Sequence, residues 1–503
     1  MNPFDIVIVG SGIGGLVCGN ILSREGLRVC ILEKNQQIGG CLQTYARDKI
    51  IFDSGVHYLG GLSSGQTLYQ VFKYLGLMEK LRLLRMDEQA FDKIIIEGDP
   101  REYVFAQGYE HFRSQLLSDF PEEEEAINEY CEKIREVCGR FPLYNLRTGG
   151  LHNEKALILE TDTRSFIDSL TGNTKLRAVL AGNNMLYAGQ PYKTPFYVHA
   201  LILNSFIESS WKCIDGGSQI ARLMAKNIRD NGGIIRPRCE VKEIVEVDGR
   251  VSHVKLATGE YVHGKVFISN LHPVRTMDIT KSGLIKNAYR KRLKSLENSI
   301  SSFCLNVVLK KNSFPYHKNN YYYHKQGSVW DMTNYTEDNW PLGYALFSSP
   351  SRTSPEFAAS LTIVTYMKFE EIKPWENTFN TTSSEISRGK DYELFKNKKA
   401  DLLLGIVEEK FPGIRDNIQS WYASTPLSYR DYLGTDDGSM YGIVKDFRNP
   451  IRTIIPARTK IPNLFLTGQN LTLHGILGTT ISSLVTCANI LGNDDFIEKI
   501  KNA

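Results

Sequence analysis

An α/β fold in two interleaved parts is predicted for this 503-residue chain on three observations. The segment up to Glu33 reads as strand, glycine turn, helix and strand. Glycine turns leading into helices recur around residues 215 and 468. Two long stretches of different pattern separate these pieces, so a single parallel sheet must be assembled from segments far apart in the chain. At this length two intergrown domains are the prior expectation.

Phe4 to Val9 is an almost continuous apolar run, as in a parallel strand buried on both faces. It feeds Gly10-Ser11-Gly12-Ile13-Gly14-Gly15, which carries the G-x-G-x-x-G spacing at Gly10, Gly12 and Gly15. Gly10 permits a tight turn, Gly12 lets backbone approach a pyrophosphate, and Gly15 lets the next helix pack closely on the sheet. That helix, predicted over 14–25, offers its N-terminal amides and dipole to an anion. Gly26 suits its C-terminal end. Leu27 to Leu32 reads as a second buried strand, followed by Glu33 and Lys34. Glu33 lies roughly 20 residues beyond the last glycine, where a carboxylate accepts the hydroxyls of an adenosine ribose. The pattern is that of a Rossmann-like dinucleotide site. Gly39-Gly40-Cys41 adds a second glycine pair, whose backbone can run flush against a diphosphate and ribityl chain, and this favours FAD over NAD.

The distant pieces complete the same unit. Asp215-Gly216-Gly217-Ser218 leads into a helix predicted over 219–230. Ile234-Ile235 and the runs 239–247, 250–257 and 261–270, punctuated by Asp248-Gly249 and Thr258-Gly259, read as a β-meander. Val241 is placed against the adenine. Near the end, 463–467 reads as a strand, followed by Gly468-Gln469-Asn470 and a small-residue helix through Gly475, Gly478 and Thr479 to about Leu491. Its amides suit a phosphate or the flavin pyrimidine oxygens. The expected organisation is a discontinuous FAD-binding domain (1–61, 211–275 and 456–503) and an α+β substrate domain (62–210 and 276–455). The first insertion reads as mostly helical.

A net charge of +4 makes no electrostatic case for nucleic acid. No apolar run reaches the ~18 residues of a membrane span. Nine scattered cysteines without a Cys-x-x-Cys pair predict neither a disulfide framework nor a metal site. With the first strand starting almost at once and no secretory leader pattern ahead of it, a cytoplasmic location is expected.

The residues also carry a resemblance. Gly39-Gly40-Cys41 with Phe52-Asp53-Ser54-Gly55-Val56-His57-Tyr58-Leu59-Gly60, Phe120-Pro121-Glu122-Glu123 before Tyr130, and His199-Ala200-Leu201 before Asn204 are its first part. Gly216-Gly217-Ser218, Asn320-Tyr321-Tyr322, the run 391–397 and Pro462 to Gln469 extend it along the chain. In these the chain resembles the retinol saturase branch of the phytoene desaturase and carotenoid isomerase flavoproteins. The resemblance implies FAD, a lipophilic polyene substrate, and reduction, desaturation or isomerisation of its double bonds. Saturation is the leading expectation, and carotenoid desaturation or redox-neutral isomerisation is the alternative. Two departures stand out: Asn470 replaces an expected acid, and Asp436-Asp437-Gly438-Ser439 replaces a more basic stretch. A more distant alternative, a prenyl-binding protein of the GDP-dissociation-inhibitor type, would use no flavin.

Hydride transfer is cofactor chemistry, so the protein must position the alkene and handle a proton. His57 and Tyr58 are the first candidates, since their segment should return beside the flavin. Tyr429, Tyr432, Tyr441 and His474 are the others. Asp53 is expected to order a loop. The aromatic insertions, including Tyr321-Tyr322-Tyr323, supply a wall on which a polyene can stack. No second nucleotide fingerprint is evident, which leaves NAD(P)H as a transient donor, a quinone or another reductant open. An oily substrate also raises contact with the cytoplasmic face of a membrane. The amphipathic stretch Val71 to Met86 and the basic stretch Lys281 to Lys294 are the candidates for it.

Overall fold

Two large sheets organise the chain; the computed structural model describes residues 3–148, 159–382 and 385–503. In the first, β1 (Phe4–Val9) and β2 (Val29–Leu32) run parallel, joined through α1 (Ile13–Arg24). All four residues of β2 are buried, which is why both strands read as continuous apolar runs. The long strand Tyr261–Ser269 does two jobs. Its C-terminal half lies parallel to β1 on one side and to Leu464–Leu466 on the other. Its N-terminal half pairs antiparallel with Arg250–Leu256, which in turn pairs with Val241–Val247. The predicted Rossmann-like α/β sheet is therefore present. One strand is reassigned: Ile234–Arg236 pairs parallel to β2 as the sheet edge and takes no part in the meander.

α1, the helix Ser218–Asp230 and the C-terminal helix Gly475–Leu491 cover one face of this sheet, through Leu16, Val17, Ile21, Ile220, Met224 and Leu484. The stretch Val71 to Met86 joins the same core. Val71, Phe72, Leu75 and Leu77 are fully buried there, so the apolar face considered as a candidate for membrane contact is already covered by protein. The Lys281 to Lys294 stretch differs: in the helix Asn287–Lys294 only Leu293 is buried.

The second sheet has seven strands in the order Ile418–Ser424, Ser301–Leu309, Ala358–Met367, Gly343–Pro350, Asn320–His324, Asp92–Ile96 and Tyr103–Phe105. Ser301–Leu309 is buried at every position. The last two strands come from the first insertion, which is therefore not simply helical. Short runs such as Asp-Lys-Ile-Ile-Ile are below the length at which periodicity separates strand from helix. Helices Tyr109–Asp119, Glu124–Gly139 and Phe196–Glu208 pack together beside this sheet. Residues 149–158 of that insertion lie outside the described residues. Among the described residues no helix is long and apolar enough to cross a membrane.

A buried histidine marks this helical layer. The Tyr130 and Tyr187 hydroxyls lie at the two ring nitrogens of His199, at 2.6 and 2.8 Å, one accepting its single N–H and the other donating to its bare nitrogen. Burial pulls it from 6.5 down to about 3. Between those values the unfolded chain binds a proton that the folded chain refuses, so stability falls as pH drops from 6.5 toward 3. His199→Gln should therefore lose less of its denaturant midpoint between about pH 7 and pH 5 than the parent does. Equal losses in the two proteins would show that this histidine does not set the acid response.

Candidate active site

The nucleotide end is built from backbone. A Cβ at Gly15 would stand 2.2 Å from the Gly10 carbonyl, and one at Gly14 would stand 3.0 Å from the Gly468 Cα. Only glycine lets the turn, α1 and the C-terminal loop touch in this way. Gly39 bridges to Gly12, so the second glycine pair runs directly beside the first turn. Asn270, at the end of Tyr261–Ser269, lies over this crossing; a methyl on Gly12, Gly14 or Gly468 would strike its amide.

Glu33 follows β2 and is buried. Its Oε2 accepts the Ser11 amide at 3.0 Å and the Ser11 hydroxyl at 2.6 Å, while Oε1 accepts the Asn35 amide at 2.8 Å. The Ser11 hydroxyl oxygen also accepts the Gly39 amide at 3.2 Å. A carboxylate has about four acceptor positions, so Glu33 braces both glycine segments and keeps one position for a ligand hydroxyl. Lys34 reaches across the mouth, where its Nζ donates to the Asp431 carbonyl at 2.8 Å.

A cavity of about 630 Å³ starts here and continues between the two sheets. Gly10, Gly12, Gly14, Glu33, Lys34, Val241 and the Gly39-Gly40-Cys41 turn line one end. Gln469, Gly478 and Thr479 line its middle, beside the N-terminal turns of the helix Gly475–Leu491. His57, Tyr58, Tyr322, Phe347, Tyr441 and His474 line the far end. Ser11, Gly15 and Gly468 do not reach the cavity wall; they hold the wall from behind. Cys41 is a thiol rather than a thiolate, since burial raises it to about 11.

The candidate proton handlers separate by what their polar atoms touch. The Tyr441 hydroxyl donates to the Met185 carbonyl at 2.9 Å, and His474 Nε2 lies 2.9 Å from the Leu186 carbonyl. Their rings sit 4.4 Å apart. Both are thus committed to holding the turn Asn184–Leu186 over the cavity. Tyr429 and Tyr432 are likewise engaged, accepting from the Ser302 hydroxyl and the Thr382 amide. His57 stacks on Phe347 at 4.5 Å, and its ring nitrogens have no hydrogen-bond partner among the described residues. Burial, helped by the positive Lys212, lowers it to about 4, so it meets the cavity as a neutral imidazole. The Tyr58 hydroxyl donates to Asp92 at 3.0 Å and lies 2.7 Å from the Tyr322 hydroxyl. Asp53 orders a loop, accepting the Gly217 amide at 2.6 Å. Of the three successive tyrosines, Tyr322 alone lines the cavity.

Sequence reasoning missed Asp92, Asn270, Phe347 and Met185 at this site. Asp92 heads an apolar strand, and a lone acid in that position was the available signal.

Comparison with known proteins follows the same lines. Residues 8–75 match the NAD(P)-binding Rossmann-like domain family. The chain is 29% identical to an all-trans-retinol 13,14-reductase of Danio rerio, over 97% of this chain and 86% of that protein. It is 24% identical to a chloroplastic prolycopene isomerase of Daucus carota, over 87% of this chain and 72% of the other. These relatives bear out the resemblance read from the sequence. Among solved structures, an oxidoreductase from Methanosarcina mazei superposes with a TM-score of 0.64 at 14% identity, over 95% of this chain and 99% of that one, which shows the shared fold.

Glu33→Ala removes the acceptor of three hydrogen bonds, two of them from Ser11. Hydrogen bonds to a charged group are worth about 1.5–3 kcal/mol each, so retention of an adenine dinucleotide should weaken by about tenfold or more. Absorbance after gel filtration reads this directly. Full retention by the variant would place the nucleotide affinity elsewhere.

Proposed function

We propose that the chain is an FAD-dependent oxidoreductase acting on carbon–carbon double bonds of a lipophilic polyene, and that it works as a saturase. The observation that carries this reading is the continuity of the cavity. A backbone-lined dinucleotide end opens directly into an aromatic chamber whose histidines are held neutral by burial. Retinol 13,14-reductases among its relatives support it, while the prolycopene isomerases support the isomerase alternative on the same scaffold.

The residues present fit FAD. The α1 N-terminus and the remaining Glu33 acceptor suit the adenosine diphosphate, with Val241 at the adenine. The Gly39–Cys41 turn and the first turns of Gly475–Leu491 suit the flavin end. When bound, the flavin supplies hydride transfer to or from carbon. The chain's own work is to bind the polyene on Phe347, Tyr322 and Tyr441, to exclude water, and to keep His57 neutral beside an apolar chain. Met185 and Leu186, pinned by Tyr441 and His474, press on the polyene from the other side. The direct reductant is a transient donor such as NAD(P)H or a quinone. The basic helix Asn287–Lys294 is the surface we assign to contact with a membrane carrying the substrate.

The test is anaerobic incubation of the reduced protein with all-trans-retinol and longer carotenoids, followed by mass spectrometry. Gain of two hydrogens is expected. Loss of two hydrogens would make the chain a desaturase, and altered retention without a mass change would make it an isomerase. Protein that is colourless and yields no extractable FAD would overturn the flavoenzyme reading itself.

A further inference from the structure

Asp92 opens the strand Asp92–Ile96, in register with Asn320 on the neighbouring parallel strand. Its side chain is fully buried. Oδ1 accepts from Asn320 Nδ2 at 2.9 Å, and Oδ2 accepts from the Tyr58 hydroxyl at 3.0 Å. No cation bonds to it among the described residues. Lys212, whose charge acts on it, donates its hydrogen bond to the Ser348 carbonyl at 2.8 Å. A buried carboxylate without a bonded cation is costly as an anion. The Tyr58 hydroxyl continues at 2.7 Å to that of Tyr322, which has no further partner among the described residues. Both rings line the cavity.

A chain of hydroxyls like this has two directions. With Asp92 ionised, donation runs from Tyr322 to Tyr58 to Asp92. With Asp92 protonated, it runs the other way, and the Tyr322 hydrogen is left without an acceptor among the described residues. We infer that Asp92, Tyr58 and Tyr322 form a proton wire that delivers to the cavity the proton needed when a double bond there is reduced. This rests on the polyene reading above.

The step balances as follows. One alkene carbon receives hydride, with its electron pair, from a reduced flavin, and the other receives the Tyr322 proton. The carbon–carbon π bond, the bond holding the hydride to its donor and the Tyr322 O–H bond break, one C–H bond forms at each carbon, and the donor flavin is oxidised by two electrons. The Tyr322 oxygen regains hydrogen from Tyr58, and Tyr58 regains it from Asp92, which is left as carboxylate. A solvent proton refills the wire along the same path after product leaves. Tyr322 is thus the catalytic donor, while Tyr58 relays and Asp92 stores.

Burial supports this division of labour. It raises Asp92 to about 7 and holds both phenols well above their ordinary value. The carboxyl is therefore the group that exchanges a proton under ordinary conditions. The titratable groups facing it are Tyr58 from the loop after Gly55, Tyr322 from the adjacent strand, and Lys212 from Ser210–Cys213, itself lowered to about 8.

Two measurements on the full chain test the wire. Infrared spectroscopy at about pH 6, below the Asp92 value of about 7, should show the carbonyl band of a buried protonated carboxyl. Asp53, also raised to about 7, adds a band that Asp92→Asn keeps. The Asp92 band is the component that shifts in D2O and is lost in that variant; a parent-minus-variant spectrum without such a component overturns the store. Anaerobic mixing of the reduced protein with retinol should show flavin reoxidation slowed about a hundredfold or more in Asp92→Asn and Tyr322→Phe, the range of general-acid contributions. FAD content should stay unchanged in both, which separates this from misfolding. If the parent forms the dihydro product and both variants match it within about twofold, the wire is wrong and the polyene reading stands. If the parent shows the band but reduces no polyene, the store stands and the polyene reading fails.

Discussion

Close contact of bare backbone at the glycine crossing is the constraint on which the rest of this structure depends. The first turn, the Gly39-Gly40 pair and Gly468 meet with no side chain between them. Peptide groups packed so closely need partners inside the protein. The Gly10 amide donates to the Leu32 carbonyl at 2.8 Å, that of Asn270 to Val9 at 2.9 Å, and that of Thr467 to Ser269 at 3.0 Å. The Ser11 amide goes to Glu33 and the Gly39 amide to the Ser11 hydroxyl. The shared strand Tyr261–Ser269 makes this possible, because it stands between β1 and Leu464–Leu466 and fixes their distance.

From that floor the cavity inherits its chemistry. The space above the crossing is enclosed by the second sheet and the helical layer, and enclosure discourages charge. His57 and His474 are drawn down to about 4, while Asp53 and Asp92 are pushed up to about 7. Polar ends of the wall are turned onto backbone: Tyr366 and Tyr441 both donate to the Met185 carbonyl. A chamber of this kind holds its shape and offers an apolar chain a dry surface. Its few unsatisfied or exchangeable polar atoms then stand out.

The Rossmann-like unit was legible because each of its requirements falls on a local pattern. A doubly buried strand must be apolar, a helix abutting a strand must begin with glycine, and an acid must follow the second strand. Gly10, Gly12, Gly15 and Glu33 therefore announce themselves within one short segment. Even there the reading was partial. Glu33 spends most of its acceptors on Ser11 and Asn35, which spacing alone does not reveal. Ile234–Arg236 was read into the wrong layer because a three-residue edge strand carries no periodicity. The strands of the first insertion were overlooked for the same reason.

By itself, the sequence determined the α/β class, the position of the dinucleotide turn and the distant segments that complete it, since these rest on local backbone geometry and strand burial. Only the tertiary structure decided which side chains face the cavity. His57 and Tyr441 looked alike as candidates, yet the first has no hydrogen-bond partner for its nitrogens among the described residues and the second gives its hydroxyl to Met185. Asp92 and Tyr322 are separated by more than two hundred residues, and register between parallel strands of the second sheet brings them together with Tyr58. Such register is set by the packing of whole sheets, and no short stretch of residues encodes it.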